Sequence, residues 1–192
     1  MTRIVLTGGP GAGKTSAAAA LAREMPERIV NVAEAATLVY EQLGTRWDEL
    51  DPDGRRDVQR RIYALQREQE ERAAADHPGR TLLLDRGTVD GSAYWPDGPE
   101  DYWRQLGTTH EAELGRYDAI VWLETCAAIG IYDGDRSNAR RHEDPRMAID
   151  RGEAVLRAWA AHPKLFRVEA CQRFEDKLAA VRRLLGSMMA PC

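Results

Sequence analysis

The sequence predicts an α/β fold: a five-stranded parallel sheet in the order 2-3-1-4-5, with helices on both faces. Three observations predict it. Short apolar runs alternate with helical stretches along the 192 residues, the pattern of strands joined by helical crossovers. The runs are continuously apolar rather than alternating, as in strands covered on both sides. The first run opens into the glycine loop "GGPGAGKT" (8–15) and then a helix, a junction that suits the centre of such a sheet.

The elements follow in order. "RIVLT" (3–7) is a buried strand and "KTSAAAALAREM" (14–25) a helix of strong formers stopped by Pro26. "RIVNV" (28–32) is the second strand, and "AEAATLVYEQLG" (33–44) a helix closed by Gly44. Residues 45–54 read as a loop, and 55–76 as a long helix with a narrow apolar stripe at Val58, Ile62 and Leu65. "TLLLD" (81–85) is the third strand, and 86–107 mixes loop and short helix. "AIVWL" (119–123) is the fourth strand and 130–146 a polar loop. A helix (147–162), the strand "KLFRVE" (164–169) and a helix (174–186) complete the chain. We read residues 1–192 as one domain with a candidate lid at 130–146. The segments 45–76 and 86–116 exceed minimal crossovers and are expected to carry substrate elements.

Composition is that of an ordinary globular chain, with a formal net charge of −4, which argues against nucleic acid as the main partner. No apolar run is long enough to cross a bilayer. The start "MTRIVLTGG" enters a strand at once, so no signal peptide is expected. Cys126, Cys171 and Cys192 are odd in number and widely spaced, with neither metal-ligand spacing nor a disulfide framework. A reduced, cytoplasmic protein is the expectation; oligomeric state is not legible.

Gly8, Gly9, Pro10, Gly11, Ala12, Gly13, Lys14 and Thr15 match the phosphate-loop pattern in full, between strand and helix. Glycines let successive amides turn inward around anionic oxygens, and the helix beginning near Lys14 points its positive dipole end at the same place. Lys14 reaches the outer phosphates and the Thr15 hydroxyl ligates Mg²⁺; Ser16 completes the expected nucleotide-binding set. Asp85, ending its strand, suits a position near Mg²⁺. Hydrolytic motors place a glutamate after this aspartate to activate water; here Arg86 follows, which suits holding a phosphoryl group. The alternative for Asp85 and Arg86 is a strand-end ion pair. No Asn-Lys-x-Asp guanine-reading element is present, so ATP is the expected nucleotide. The helical lid domain of ring ATPases is not expected either.

With these motifs the chain resembles the nucleoside- and nucleotide-kinase branch of P-loop proteins, in the phosphate loop, in "LLLDRG" and in "NVAEAA". More narrowly, "DRGTVDGSAYW", "NARRHED", "AHPKLFRVE" and "FEDKL" resemble a family of small AAA-like single-domain ATPases related to the nicotinamide riboside kinase domain. The family often reads Asn-Pro-x-Arg where this chain reads Asn138-Ala139-Arg140-Arg141. The resemblance implies a three-layer P-loop fold of the nucleoside-monophosphate-kinase type and ATP binding. It also places a base-like glutamate at Glu34.

Glu34 follows the second strand, at the sheet edge where open α/β sheets bind ligands. It either handles an acceptor hydroxyl or is a first-turn helix acid. Arg136, Arg140 and Arg141 either close over a triphosphate as a lid or belong to a solvated loop; Arg146 and Arg151 are read as part of the following helix. Trp47, Tyr94, Trp95, Tyr102 and Trp103 either stack on a planar acceptor or pack the inserts onto the sheet. Asp90 suits a sugar hydroxyl or a turn before Gly91, and Gln59 and Gln66 share a helix face that reads an acceptor edge or faces solvent. His142 and His162 show no metal-like spacing.

The reaction expected is Mg²⁺-dependent transfer from ATP to a small acceptor such as a nucleoside or nucleotide. Lys14, Glu34, Asp85, Arg86, Arg136, Arg140 and Arg141 are the candidate catalytic set, with Thr15 and Asp85 on the metal. The rivals are a slow regulatory ATPase and a kinase of a protein or polymer. A deep aromatic pocket beside Glu34 favours the small acceptor; a shallow groove favours the polymer.

Overall fold

The computed structural model describes residues 1–131 and 144–189. Five strands, β1 Arg3–Gly8, β2 Ile29–Val32, β3 Thr81–Asp85, β4 Ala119–Leu123 and β5 Leu165–Val168, form one sheet in the order β2-β3-β1-β4-β5. Every pairing is parallel, as the sequence predicts. The register sets Leu6 beside Asp85 and Gly8 beside Leu123, so the phosphate loop emerges between the ends of β3 and β4.

Alternate strand residues feed two cores. Ile4, Leu6, Leu83, Val121 and Leu123 pack against α1 (Lys14–Glu24) and α7 (Phe174–Met188) through Ala17, Leu21, Val181 and Leu185. Val5, Leu82, Leu84, Ile120 and Trp122 face the opposite side and meet Tyr63, Val89, Tyr102, Val155 and Trp159. These belong to α3 (Pro52–Asp76), the 3-10 segment Thr88–Tyr94, α4 (Pro99–Leu106) and α6 (Pro145–Trp159). Helix α2 (Ala35–Leu43) and the short α5 (His110–Leu114), the latter not anticipated, complete the described α-helices.

Three helix starts differ from the sequence reading, the first two for a capping reason. Helix α3 begins at Pro52, inside the expected loop, because Asp51 caps it by accepting from the Gly54 amide at 2.7 Å and proline occupies the first turn. Helix α6 begins at Pro145 because Asp144 accepts from the Arg146 amide at 3.0 Å. Helix α2 begins at Ala35, leaving Glu34 as its N-cap residue rather than a first-turn acid.

The buried face of α3 is also turned from the one expected: it carries Val58, Gln59, Tyr63, Gln66 and Glu70, with Ile62 and Leu65 only half-buried. The polar members are buried because partners wait for them. Glu70, fully buried, accepts from Arg116 at 2.7 Å, Tyr117 at 2.9 Å and Gln66 at 3.0 Å. Glu113, nearly as deep, accepts from Tyr63 and Thr88, both at 2.7 Å. Among the described residues no helix is long and apolar enough to cross a membrane.

Breaking one side of this network strands the other. Glu70→Ala is expected to lower unfolding stability by about 3–5 kcal/mol, read from urea denaturation. A loss under about 1 kcal/mol, the range of an exposed ion pair, would show that Arg116 finds solvent instead.

Candidate functional site

The glycine loop is positioned by three contacts from outside it. A Cβ on Gly9 would come within 2.5 Å of the Ala148 carbonyl oxygen and 3.1 Å of the Gly152 Cα, so the loop lies directly against the backbone of α6. The Thr125 hydroxyl donates to the Pro10 carbonyl at 2.6 Å. The buried ammonium of Lys177 donates to the carbonyls of Ala12 (3.2 Å) and Glu124 (2.7 Å), tying the loop to the end of β4. Sequence reasoning missed all three supports. Lys177 had a signal: it shares a helix face with the buried Val181 and Leu185, where a cation needs a partner.

Gly13, with φ of 83°, caps α1 without a side-chain bond, so the helix opens with free amides toward the loop. Lys14 is buried and donates to the Gly9 carbonyl at 2.9 Å. Burial and then the neighbouring Arg86 push its pKa down to about 8, against the pull of Asp85, Glu34 and Asp90. Thr15 and Ser16 are exposed at the mouth. The Thr15 hydroxyl donates to Asp85 Oδ2 at 2.5 Å, while Asp85 Oδ1 is buried with no hydrogen-bond partner. Burial, reinforced by Glu34, raises the Asp85 pKa, with Lys14, Thr15 and Arg86 opposing.

Arg86 turns back across the strand ends. Its Nε donates to Glu34 at 2.6 Å, and its Nη1 to Asp90 at 2.9 Å and to the Gly8 carbonyl at 3.4 Å. Glu34 also accepts from Thr37 at 2.6 Å. Asp90 accepts in addition from the Thr7 hydroxyl (2.8 Å) and the Trp159 indole (2.6 Å). That crowded coordination commits Asp90 to holding Arg86 and the loop's entry, rather than to a simple turn.

Beside Glu34 lies a cavity of about 350 Å³. Its walls include Trp47, Tyr94 and Tyr102, together with Gln59, Gln66, Arg86 and Arg151. Trp95 and Trp103 pack the core together with Tyr102, which is buried there and also reaches the cavity wall. Gln59 and Gln66 share a face as expected, but it is buried. Gln66 Nε2 donates to Glu70 and to the Arg86 carbonyl (3.3 Å), whereas the Gln59 carboxamide makes no hydrogen bond to a described residue. Arg151, read from sequence as a helix residue only, also reaches the cavity; it follows Met147 by one turn of α6, and both line the wall. Arg136, Arg140, Arg141 and most of the candidate lid lie outside the described residues, as do His142 and Cys192. His162 is a buried structural group, 3.0 Å from the Tyr117 carbonyl.

A glycine loop of this pattern at the end of the central strand, opening a helix and flanked by a strand-end aspartate, defines a P-loop nucleotide-binding protein. The model of the AAA domain family AAA_28 matches residues 3–177, and the chain belongs to that family. Among solved structures, a deoxyadenosine kinase from M. mycoides with dCMP and dCDP bound superposes with a TM-score of 0.69 at 12% identity. The match covers 97% of this chain and 100% of that one. NadR in complex with NR superposes with a TM-score of 0.68 at 17% identity, over 99% of this chain and 50% of NadR, so the chain spans about half of NadR's length. At these identities the likeness is one of fold. No curated protein matches the chain in sequence.

Lys14 carries a pH signature. Its folded pKa of about 8 lies below the ordinary 10.5, so between those values the unfolded chain binds more protons and stability rises with pH. Relative to Lys14→Met, wild-type stability is expected to be flat below about pH 8 and then to climb, by up to ~1.4 kcal/mol per pH unit. Urea denaturation from neutral to alkaline pH measures it, and parallel curves would mean Lys14 titrates as an ordinary lysine.

Proposed function

We propose that the protein is a cytoplasmic, single-domain, ATP-dependent phosphotransferase that moves the γ-phosphoryl group to a small acceptor such as a nucleoside or nucleotide. The observation that carries this reading is the aromatic-walled cavity beside Glu34, linked to the phosphate loop by Arg86, which lines it and donates to the Gly8 carbonyl. Its volume suits a nucleoside-sized molecule and not a polymer. The bound dCMP and NR named for the two structural neighbours support an acceptor of that size.

In this reading the loop amides from Gly8 to Ser16 and Lys14 hold the triphosphate. Arg86 lies at the loop's edge and, with Arg136, Arg140 and Arg141, offsets charge as the phosphoryl group moves. An acceptor oxygen attacks the γ-phosphorus, the bond to the bridging oxygen breaks, and ADP leaves. Where the acceptor is a hydroxyl, its proton passes to Glu34. The residues present fit Mg²⁺: Asp85 Oδ1 is a buried hard oxygen without a partner, and the adjacent Thr15 hydroxyl, which donates to Oδ2, keeps its own lone pairs for a metal. Among the described residues no cluster of three or more acidic, His or Cys side chains forms a metal cage. When bound, Mg²⁺ neutralises phosphate charge; Thr15 and Asp85 would hold it.

ADP formation from Mg-ATP across a panel of nucleosides and nucleotides tests the reading. One acceptor class is expected to raise turnover well above the acceptor-free rate. Lys14→Ala and Asp85→Asn should each lower that turnover by roughly 10²-fold or more. Glu34→Gln should lower kcat for a hydroxyl acceptor by ~10²–10⁴-fold with little change in KM for ATP. A slow, Lys14-dependent rate that no acceptor stimulates would replace this proposal with the regulatory-ATPase reading.

A further inference from the structure

The charges lining the cavity do not balance in an even way. Three arginines reach its wall: Arg46, Arg86 and Arg151. Arg46 is met by Asp48 and Glu49, each at 3.3 Å, and Arg86 by Glu34 and Asp90. Arg151 is different. It is half-buried, and among the described residues no carboxylate lies within ion-pair distance of it. Its Nη1 donates to the Ala93 carbonyl at 3.3 Å, and its guanidinium carbon lies 5.6 Å from the Trp47 ring centre and 5.3 Å from that of Tyr94. Two aromatic faces therefore hold the cation in place without neutralising it, and most of its N–H donors are uncommitted. Glu41, the remaining acid on the lining, is solvent-exposed and needs no partner.

We infer that Arg151 is a specificity-determining residue and that the acceptor is an anion: a small molecule with a planar ring that also carries a phosphate or carboxylate group, which Arg151 binds. The inference rests on the phosphotransferase reading and deepens it. A guanidinium is the side chain suited to grip either anion through paired N–H donors. The ring has its own supports in the same cavity, the wall of Ile62, Tyr63 and Tyr102 and the uncommitted Gln59 carboxamide. The contacts of Arg151 come from Ala93, Trp47 and Tyr94, all in the inserts that form the cavity and none in the phosphate loop. That placement assigns the cation to the acceptor and not to the triphosphate.

Steady-state transfer by wild type, Arg151→Gln and Arg151→Lys, with matched neutral and anionic acceptors, tests it. The probes are uridine, its monophosphate and orotidine, and adenosine and its monophosphate. An anionic member is expected to be the best acceptor, the phosphate and carboxylate arms telling which group is read. For that acceptor Arg151→Gln should raise KM by about 10- to 100-fold with kcat and the KM for ATP nearly unchanged, and Arg151→Lys should recover part of the loss. A neutral best acceptor, an equal effect on neutral and anionic members, or a KM change for ATP instead would each overturn the inference while leaving the kinase reading intact. Lys14-dependent ATP hydrolysis with transfer to no panel member would overturn both. Thermal melts check that the variants fold; should Arg151→Gln not fold, the wild-type preference and Arg151→Lys decide.

Discussion

The buried guanidinium of Arg86 is the contact on which the rest of the site depends. Arg86 is the one non-glycine residue with positive φ, 73°, among the described residues, a conformation that costs roughly 1–2 kcal/mol for a residue with a Cβ. The backbone accepts it because the turn is fixed from both ends. The Arg86 amide donates to Leu6 at 3.0 Å, extending the β1–β3 ladder, and its carbonyl accepts from Gln66. The side chain is thereby sent back over the strand ends, where it joins Glu34 from the β2–α2 junction, Asp90 from the 3-10 segment and the Gly8 carbonyl of the phosphate loop. Three separate pieces of chain are held in register by one cation, and a neutral or shorter side chain would release all three.

That arrangement fixes the electrostatics around it. Lys14 and Arg86 face Asp85, Glu34 and Asp90, two cations against three carboxylates, all but Glu34 buried. The directions of the shifts follow from crowding. Lys14 loses basicity to burial and to Arg86, and Asp85 loses acidity to burial and to Glu34. A site with a carboxylate excess does not attract a bare polyphosphate. Under the proposed reading, the balancing charge must come with the nucleotide as Mg-ATP and from arginines outside this cluster. In that reading the orphaned Asp85 oxygen is a place for a cation, and without one it bears the ordinary cost of a buried acceptor without a donor.

The phosphate loop, the five strands and their order were legible because each rests on local pattern: a complete motif, continuous apolar runs and short connections. Asp85 beside the loop followed from strand order alone, and the Leu6–Asp85 register bears that out. What was not legible depends on contacts between distant segments. Gly152 reads as an ordinary helix glycine until it is seen against Gly9. The apolar face that Lys177 shares signals a partner for it, but not that the partners are the carbonyls of Ala12 and Glu124. Arg151 lies on a helix whose outward pattern gives no hint that one turn of it closes a cavity.

Helix α3 shows why the polar face was hardest to read and what it accomplishes. A helix this polar normally turns its glutamines to water, and periodicity alone selects Ile62 and Leu65 for burial. Here the buried face is one continuous polar row from Gln59 to Glu70. Its first part, with Gln59, Tyr63 and Gln66, walls the cavity. Its last part joins Arg116, Tyr117 and, through Tyr63, Glu113. Gln66 belongs to both, since the amide that lines the cavity donates to Glu70 and to the carbonyl of Arg86. The wall of the cavity and the strained turn at Arg86 are therefore braced by the same buried network. A side chain such as Gln59 can stay uncommitted only because its neighbours on the helix are fully engaged. An apolar α3 would pack the sheet as well, but it would leave nothing to fix the turn and no polar group to offer a ligand.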